Sequence, residues 1–402
     1  MRVLVVGGGH ASLPLLANAR ELRPSGHGVT LISDCDRLWY SGMTPEYLGG
    51  VYTHADVTID LGAICEREGV RFVPEPAVHL DPEARFVETA SGSRLPYDVL
   101  AVDVGAANPA TGRAPEAVRT KPLHRIGALA AFLHEVAVGE SERTLAIVGG
   151  GAAGVEVALN VSAHPQLRGR LAVTIIEPGE ALVSGFPPRA RRWAADRLRS
   201  RGVALRFGTE VIRAEGHHLD LSDGSSLLAD RVLWATGSVG QSWLAEVLPA
   251  DAQGFVRAGE TLQVSGHPHV FVAGDAAVVE GHEGLARVGV HAVKQGPTLR
   301  RNVRALADAL GEGKTVEAAG LERWAPYPAA PLILSSGERD ALFVVGSLAL
   351  HGAWALALKH RVDRAWIEPY LSHPPSWSRR TDLRAAAQGP TDSTWETTAP
   401  RR

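Results

Sequence analysis

The chain has 402 residues, 45% hydrophobic and 21% charged, so it is long for one domain and has the make-up of a soluble protein with sizeable cores. Its 41 basic and 44 acidic side chains leave a net charge of −3, and no electrostatic case for a nucleic-acid partner arises. Two cysteines, Cys35 and Cys65, outside any Cys-x-x-Cys spacing, argue against a disulfide scaffold, a dithiol relay or a metal site.

The opening residues MRVLVVGGG run straight into a strand and a glycine loop, without a basic leader or cleavage site, so a cytoplasmic location is expected. VLVVGGGHAS (3–12) leads into a helical stretch and a second β-rich run, VTLIS (29–33). The same succession returns as LAIVGGGAAG (145–154) and VTIIE (173–177). Further on, SGSRLPYDVLAVDVGA (91–106) aligns with SDGSSLLADRVLWATGS (222–238), placing Gly92 on Gly224, Asp98 on Asp230 and Gly105 on Gly237. The halves read as copies of one nucleotide-binding unit. Apolar strands alternating with helices predict an α/β fold with parallel sheets covered on both faces. We therefore expect two Rossmann-like dinucleotide-binding domains of three-layer ββα type and a small C-terminal α+β region. The first domain is expected over 1–120 and 241–315, the second over 121–240, the C-terminal region over 316–375, and a disordered tail over 376–402.

A pyrophosphate needs close backbone N–H groups and the positive end of a helix, and glycine permits both the turn and the approach. Gly149, Gly151 and Gly154 give the full G-x-G-x-x-G, and Glu177 ends the next strand where a carboxylate accepts ribose hydroxyls. A negative charge there disfavours a 2′-phosphate, so NADH is expected, while Arg189, Arg191 and Arg192 keep NADPH open. In the first copy Gly7 and Gly9 are kept, Ser12 replaces the third glycine, and either Ser33 or Asp34 is placed for the ribose. A third signal, HVFVAGDA (269–276), is a buried strand ending in Gly274 and Asp275, with Asp275 placed for a ribityl hydroxyl. The helical segment that follows carries Lys294, whose charge would stabilise a reduced flavin. Pro297 predicts a kink there, or a helix that effectively begins near it.

In these motifs the chain resembles the FAD- and NAD-dependent pyridine nucleotide-disulfide oxidoreductase superfamily over roughly residues 1–374. YSGMTPEYLGG (40–50), YDVLAVDVG (97–105), GVHAVKQGPTLRRN (289–302) and WALALKHRVDR (354–364) look like the flavoprotein domain fused to some selenide, water dikinases; the chain is also similar to type II NADH:quinone oxidoreductases. The resemblance implies FAD in the first unit and NADH in the second. It places Met43, Thr44 and Pro45 beside the flavin ring, where disulfide reductases carry a cysteine pair, and it makes Glu156 a residue that positions nicotinamide. Glu156, Lys294 and Pro45 are the expected catalytic residues; Val78, Gly105, Gly237 and Gln295 complete the cofactor contacts. Type II enzymes carry a glutamine-bearing A-Q-x-A-x-Q run at the flavin helix; here Val290 and Lys294 replace both glutamines. A quinone-like acceptor leads, with a soluble redox protein, oxygen or a slow flavin-based sensor role as alternatives.

Ala341 to Leu358 is the most apolar stretch and reads as short strands leading into a helix rather than a membrane span. In that helix Trp354, Leu358, Val362, Ala365 and Trp366 lie near helical spacing, with Lys359, His360, Arg361 and Arg364 among the polar positions. The expectation is a packed or homodimer face, with peripheral attachment to the inner membrane face as the alternative.

Overall fold

Valine- and isoleucine-rich runs form two parallel sheet cores built on one plan. The computed structural model describes residues 1–109, 118–119 and 126–379. The chain divides into two compact units, one of Met1–Leu38, Ile59–Ala107 and Ser238–Pro328, the other of Trp39–Thr58, Asn108–Gly237 and the chain from Ala329.

In the first unit the strands Val99–Val102, Arg2–Val6, Gly28–Ile32 and Arg71–Val73 lie side by side and parallel within an eight-stranded sheet. On the other side of Val99–Val102 the sheet continues with His267–Val272, parallel to it. In the second unit Arg231–Trp234, Arg143–Val148, Leu171–Glu177 and Ala204–Phe207 repeat the arrangement in a five-stranded parallel sheet. Each unit also carries a three-stranded antiparallel meander, Ala77–Pro96 in one and Val211–Leu228 in the other. These are the layers of the ββα plan. The core of the first unit joins Leu4, Val6, Leu100 and Val272 to Leu80 and Val87 of its meander. That of the second joins Ala146, Ile176 and Trp234 to Leu219 and Leu221. Fully burying one such side chain contributes roughly 1.5–3 kcal/mol.

The duplication holds at the level of single atoms. Arg2 N donates to Asp98 and Thr144 N to Asp230, each aspartate also pairing with an arginine, Arg2 or Arg143. Gly7 N donates to Ile32 O and Gly149 N to Ile176 O, both at 2.8 Å; Asp103 N donates to Val6 O and Ala235 N to Val148 O, again at 2.8 Å.

The helices differ more. After the second loop Ala152–Ala163 is a regular helix of 12 residues, whereas the first loop is followed only by Leu13–Leu16 and a 3-10 turn at Ala19–Leu22. The helix Gly289–Gly311 begins at Gly289 and runs through Pro297 for 23 residues, so it does not start near the proline. A hairpin of Leu332–Ser335 and Ala341–Val345, extended by Leu348–Gly352, leads into the helix Ala353–Ile367. Among the described residues no helix is long and apolar enough to cross a membrane. Ser376 bonds to Asp56 at the start of a 3-10 turn ending at Arg379; the rest of the expected disordered tail lies outside the described residues.

Candidate functional site

The first glycine loop folds back on the end of the strand Val99–Val102. Gly7 has φ +88° and lies so close to Asp103 O that a Cβ would collide with it. Gly149, φ +110°, repeats this against Ala235 O, 2.6 Å from where its Cβ would be. Positive φ together with that approach restricts both positions to glycine. A Cβ on Gly154 would collide with Gly149 O. In the first copy Ser12 takes that place and its Oγ donates to Gly7 O and Gly9 O, both at 3.0 Å. The bare backbone of both loops is the surface a dinucleotide pyrophosphate needs, so the residues fit the group.

One residue at the first loop was not singled out from the sequence. Asp103 is 3% exposed, accepts from Ser12 N at 2.7 Å, and lies against the backbone of Gly7, Gly9 and Gly274. Burial pushes its carboxyl up to about 7, against the pull of the Ser12 and Ala11 amides. Below that pH it is a neutral group able to donate to a phosphate or ribityl oxygen. Its signal is a charged residue at the end of an apolar strand, where the second copy carries Ala235. Gly274 N donates to Gln295 Oε1 at 2.7 Å, tying the Gly274–Asp275 turn to the helix Gly289–Gly311. Lys294, on that helix, sets its ammonium 4.1 Å from the Tyr327 ring centre. Ser33 is buried and donates to Cys35 O, Asp34 is exposed, and Val78 is 46% exposed.

At the second loop Glu177 is held by two amides, accepting from Gly150 N at 2.6 Å and Gly179 N at 2.8 Å. This fixes a carboxylate at the strand end beside the loop. Arg189 and Arg192 are exposed at the start of the helix Pro188–Ser200. Gly151 is the N-cap of Ala152–Ala163, and Glu156 lies one turn inside it.

Glu156 belongs to a buried charge cluster. Lys359 Nζ lies 3.0 Å from Asp363, 3.6 Å from Glu156 and 3.6 Å from Glu46, and donates to Gly42 O. Lys359 is 5% and Glu46 1% exposed. His360 Nε2 meets Glu46 Oε1 at 2.7 Å, and Tyr40 Oη donates to Asp363 at 2.8 Å. Ser335 donates to Glu156 Oε1 through N at 2.9 Å and Oγ at 3.1 Å. Burial pushes Glu156 up to about 7, with Lys359 and the Ser335 amide pulling it back. Burial alone would lower Lys359, but Asp363, Glu156 and Glu46 outweigh it and keep the ammonium charged. Met43 is fully buried, and Thr44 and Pro45 open the short helix Thr44–Leu48 that carries Glu46.

The apolar stripe of the C-terminal helix is thus not packed inside the unit, which corrects the packed-face part of the expectation and leaves a homodimer or membrane face as its alternatives. Ala355, Lys359, Asp363 and Ile367 are the helix's buried face, while Trp354, Leu358 and Val362 are 48%, 37% and 55% exposed. Apolar periodicity points the wrong way here because carboxylates from elsewhere in the unit make burial of Lys359 favourable.

Residues 1–296 match the pyridine nucleotide-disulphide oxidoreductase family. The chain belongs to it. As a family member it is an oxidoreductase working with FAD and a pyridine nucleotide. The type II NADH:quinone oxidoreductase of Staphylococcus saprophyticus is 24% identical over 389 residues, covering 90% of this chain and 94% of the relative. The structure of NDH2 from Plasmodium falciparum in complex with NADH aligns with TM-score 0.72 at 12% identity, covering 91% of this chain and 98% of that one. The sulfide:quinone oxidoreductase of Aquifex aeolicus aligns with TM-score 0.69 at 20% identity, covering 94% and 93%. This family member has no disulfide to use: Cys35 and Cys65 are both free. Burial, reinforced by Asp34 for Cys35 and Asp60 for Cys65, pushes each thiol up to about 11, far from a reactive thiolate.

Proposed function

We propose that the chain is a type II NADH:quinone oxidoreductase-like enzyme, in which NADH gives a hydride to FAD and the electron pair passes on to a quinone. The flavin supplies the redox chemistry, and the protein supplies binding, orientation and a proton. Reducing a quinone takes two electrons and two protons, of which the hydride brings one proton. The remaining proton must come from the protein or solvent. The observation that carries the reading is Glu156, a mostly buried carboxyl brought near neutrality beside Lys359, suited to hold and release a proton at working pH. Glu46 and His360 continue the charge cluster toward a partly exposed imidazole.

Glu177 favours NADH, because the amides of Gly150 and Gly179 keep its carboxylate where a 2′-phosphate would sit. Met43, Thr44 and Pro45 are proposed to border the flavin ring, and Asp103, Gln295 and Asp275 to hold its ribityl and phosphate portions. A quinone partitions into lipid. Trp354, Leu358 and Val362, with Leu348 and Leu350 of the preceding strand at 48% and 37% exposure, form the face we propose rests on a membrane surface.

Stopped-flow reduction of the purified flavoprotein by NADH, followed by turnover with a soluble ubiquinone analogue, tests the reading. Fast bleaching and quinone-stimulated turnover are expected. A long-lived reduced protein indifferent to quinone, or reoxidised only by a soluble redox protein, would overturn the quinone assignment. Leu358→Glu with Val362→Glu is expected to abolish pelleting with anionic liposomes, and unchanged pelleting would remove the membrane face.

A further inference from the structure

The second unit contains a cavity of about 410 Å³ bounded by the far end of the helix Ala152–Ala163, the start of the strand Leu171–Glu177 and the end of the helix Pro188–Ser200. It lies away from the glycine loop, at the opposite ends of the same elements. Its volume falls in the range of small-molecule sites. The wall is divided by chemistry. Leu167 and Val203 are among the apolar lining residues, and Arg168, Arg197 and Arg201 bring three guanidiniums. Arg201 is the buried one, its side chain 7% exposed. Its Nη1 donates to Leu159 O and Ser336 O, and its Nη2 is buried without a hydrogen bond. The Arg168 guanidinium has no hydrogen bond or ion pair among the described residues.

Glu338 reaches into this arrangement. It accepts from Arg197 Nη1 at 3.0 Å and lies 3.3 Å from Arg201 Nη2, yet its side chain is 43% exposed. It is a tethered carboxylate on a guanidinium pair, and it shows which anion those groups read. Glu338 sits on the turn between Leu332–Ser335 and Ala341–Val345. At one end of that turn Ser335 donates twice to Glu156; at the other Asp340 accepts from Arg197 at 2.6 Å. Gly337, φ +76°, packs so closely on Ala163 and Asn160 that a Cβ there would collide with both, which seats the turn against the helix Ala152–Ala163 that carries Glu156.

We propose that this cavity binds a small carboxylate with an apolar body, which displaces Glu338 and, through the Ser335–Asp340 turn, loosens the hydrogen bonds that position Glu156. The ligand's carboxylate takes the Arg197–Arg201 pair with Arg168 beside it, and its body lies on the Leu167 and Val203 wall. The binding claim stands without the redox reading; the coupling to Glu156 rests on it.

The test is calorimetric titration of the FAD-loaded protein with 4-phenylbutyrate and with its uncharged amide. Saturable binding of the acid alone is expected. Glu338→Gln weakens an intramolecular competitor and should tighten binding about tenfold or more. Arg168→Ala, at an exposed position outside the cofactor sites, should weaken it about tenfold by removing a charge-assisted contact, with the melting temperature unchanged. Equal binding of acid and amide, or no saturable binding by either wild type or Glu338→Gln, overturns the site. Stopped-flow reoxidation of the NADH-reduced protein by a soluble ubiquinone analogue, with the cavity saturated, then reads the coupling, and an unchanged rate overturns it. If NADH fails to bleach the flavin under any condition, the redox reading fails while the titration still decides the site.

Discussion

Replacing Lys359 by Met removes the single ammonium from a cluster of three carboxylates, Glu46, Glu156 and Asp363. At the 3.6 Å that separates Lys359 from Glu156, one ion pair in an effective dielectric near 20 is worth about 4.6 kcal/mol. Loss of that pairing would move the titration midpoint of Glu156 further upward, since Lys359 is what pulls it down against burial. Stranding the buried carboxylates costs about 3–5 kcal/mol of stability where they stay ionised. Raised carboxyl midpoints mean that the folded state binds more protons than the unfolded one, so stability falls as pH rises from about 4 through the folded-state midpoint. The variant should therefore lose little stability at pH 5 and measurably more at pH 8. Urea unfolding of the FAD-loaded protein at both pH values measures this, with Lys359→Arg as the charge-keeping control. An equal loss at the two pH values would refute the argument, because it would mean that Lys359 contributes packing rather than charge.

Asp103 sets a second pH dependence. Its carboxyl, pushed to about 7, is neutral below that pH and repels a diphosphate above it, so FAD release should quicken about tenfold or more between pH 6 and 8.5. Asp103→Asn should flatten that profile; flavin fluorescence on dilution reads it, and a variant profile as steep as the wild type's would count against the assignment. Glu177→Ser should shift the ratio of kcat/KM for NADPH over NADH by about tenfold or more toward NADPH, and an unmoved ratio would show that the strand-end carboxylate does not select the cofactor. Gly149→Ala forces a side chain into φ +110° and against Ala235 O. It should raise the KM for NADH about tenfold or more while the flavin absorbance persists, since the first loop is untouched; loss of flavin instead would show that the two loops do not serve separate nucleotides.

What could be read from the sequence follows the range of the interactions concerned. The glycine pairs Gly7 and Gly149 are legible because a strand-to-loop turn is local and its backbone demand leaves a residue-type mark. The repeat goes further, since Asp98 and Asp230 both close their strands onto an arginine and an amide. Asp103 was hidden by its alignment with Ala235: a carboxyl at that place has no counterpart in the other copy, and only burial gives it meaning. Lys359 was hidden for a stronger reason. A helical pattern sorts residues by transfer to water, so a lysine counts as outward unless its partners are known. Those partners come from the Thr44–Leu48 helix, the Ala152–Ala163 helix and its own next turn. Once they surround it, an apolar environment without carboxylates becomes the unfavourable alternative. The exposed Trp354, Leu358 and Val362 are the consequence, because a helix that turns its charged stripe inward must turn an apolar one out. The buried ion cluster and the outward apolar stripe are thus one choice of helix rotation. The stability of the Lys359 variants and the lipid binding of the Leu358 and Val362 variants probe the two sides of it.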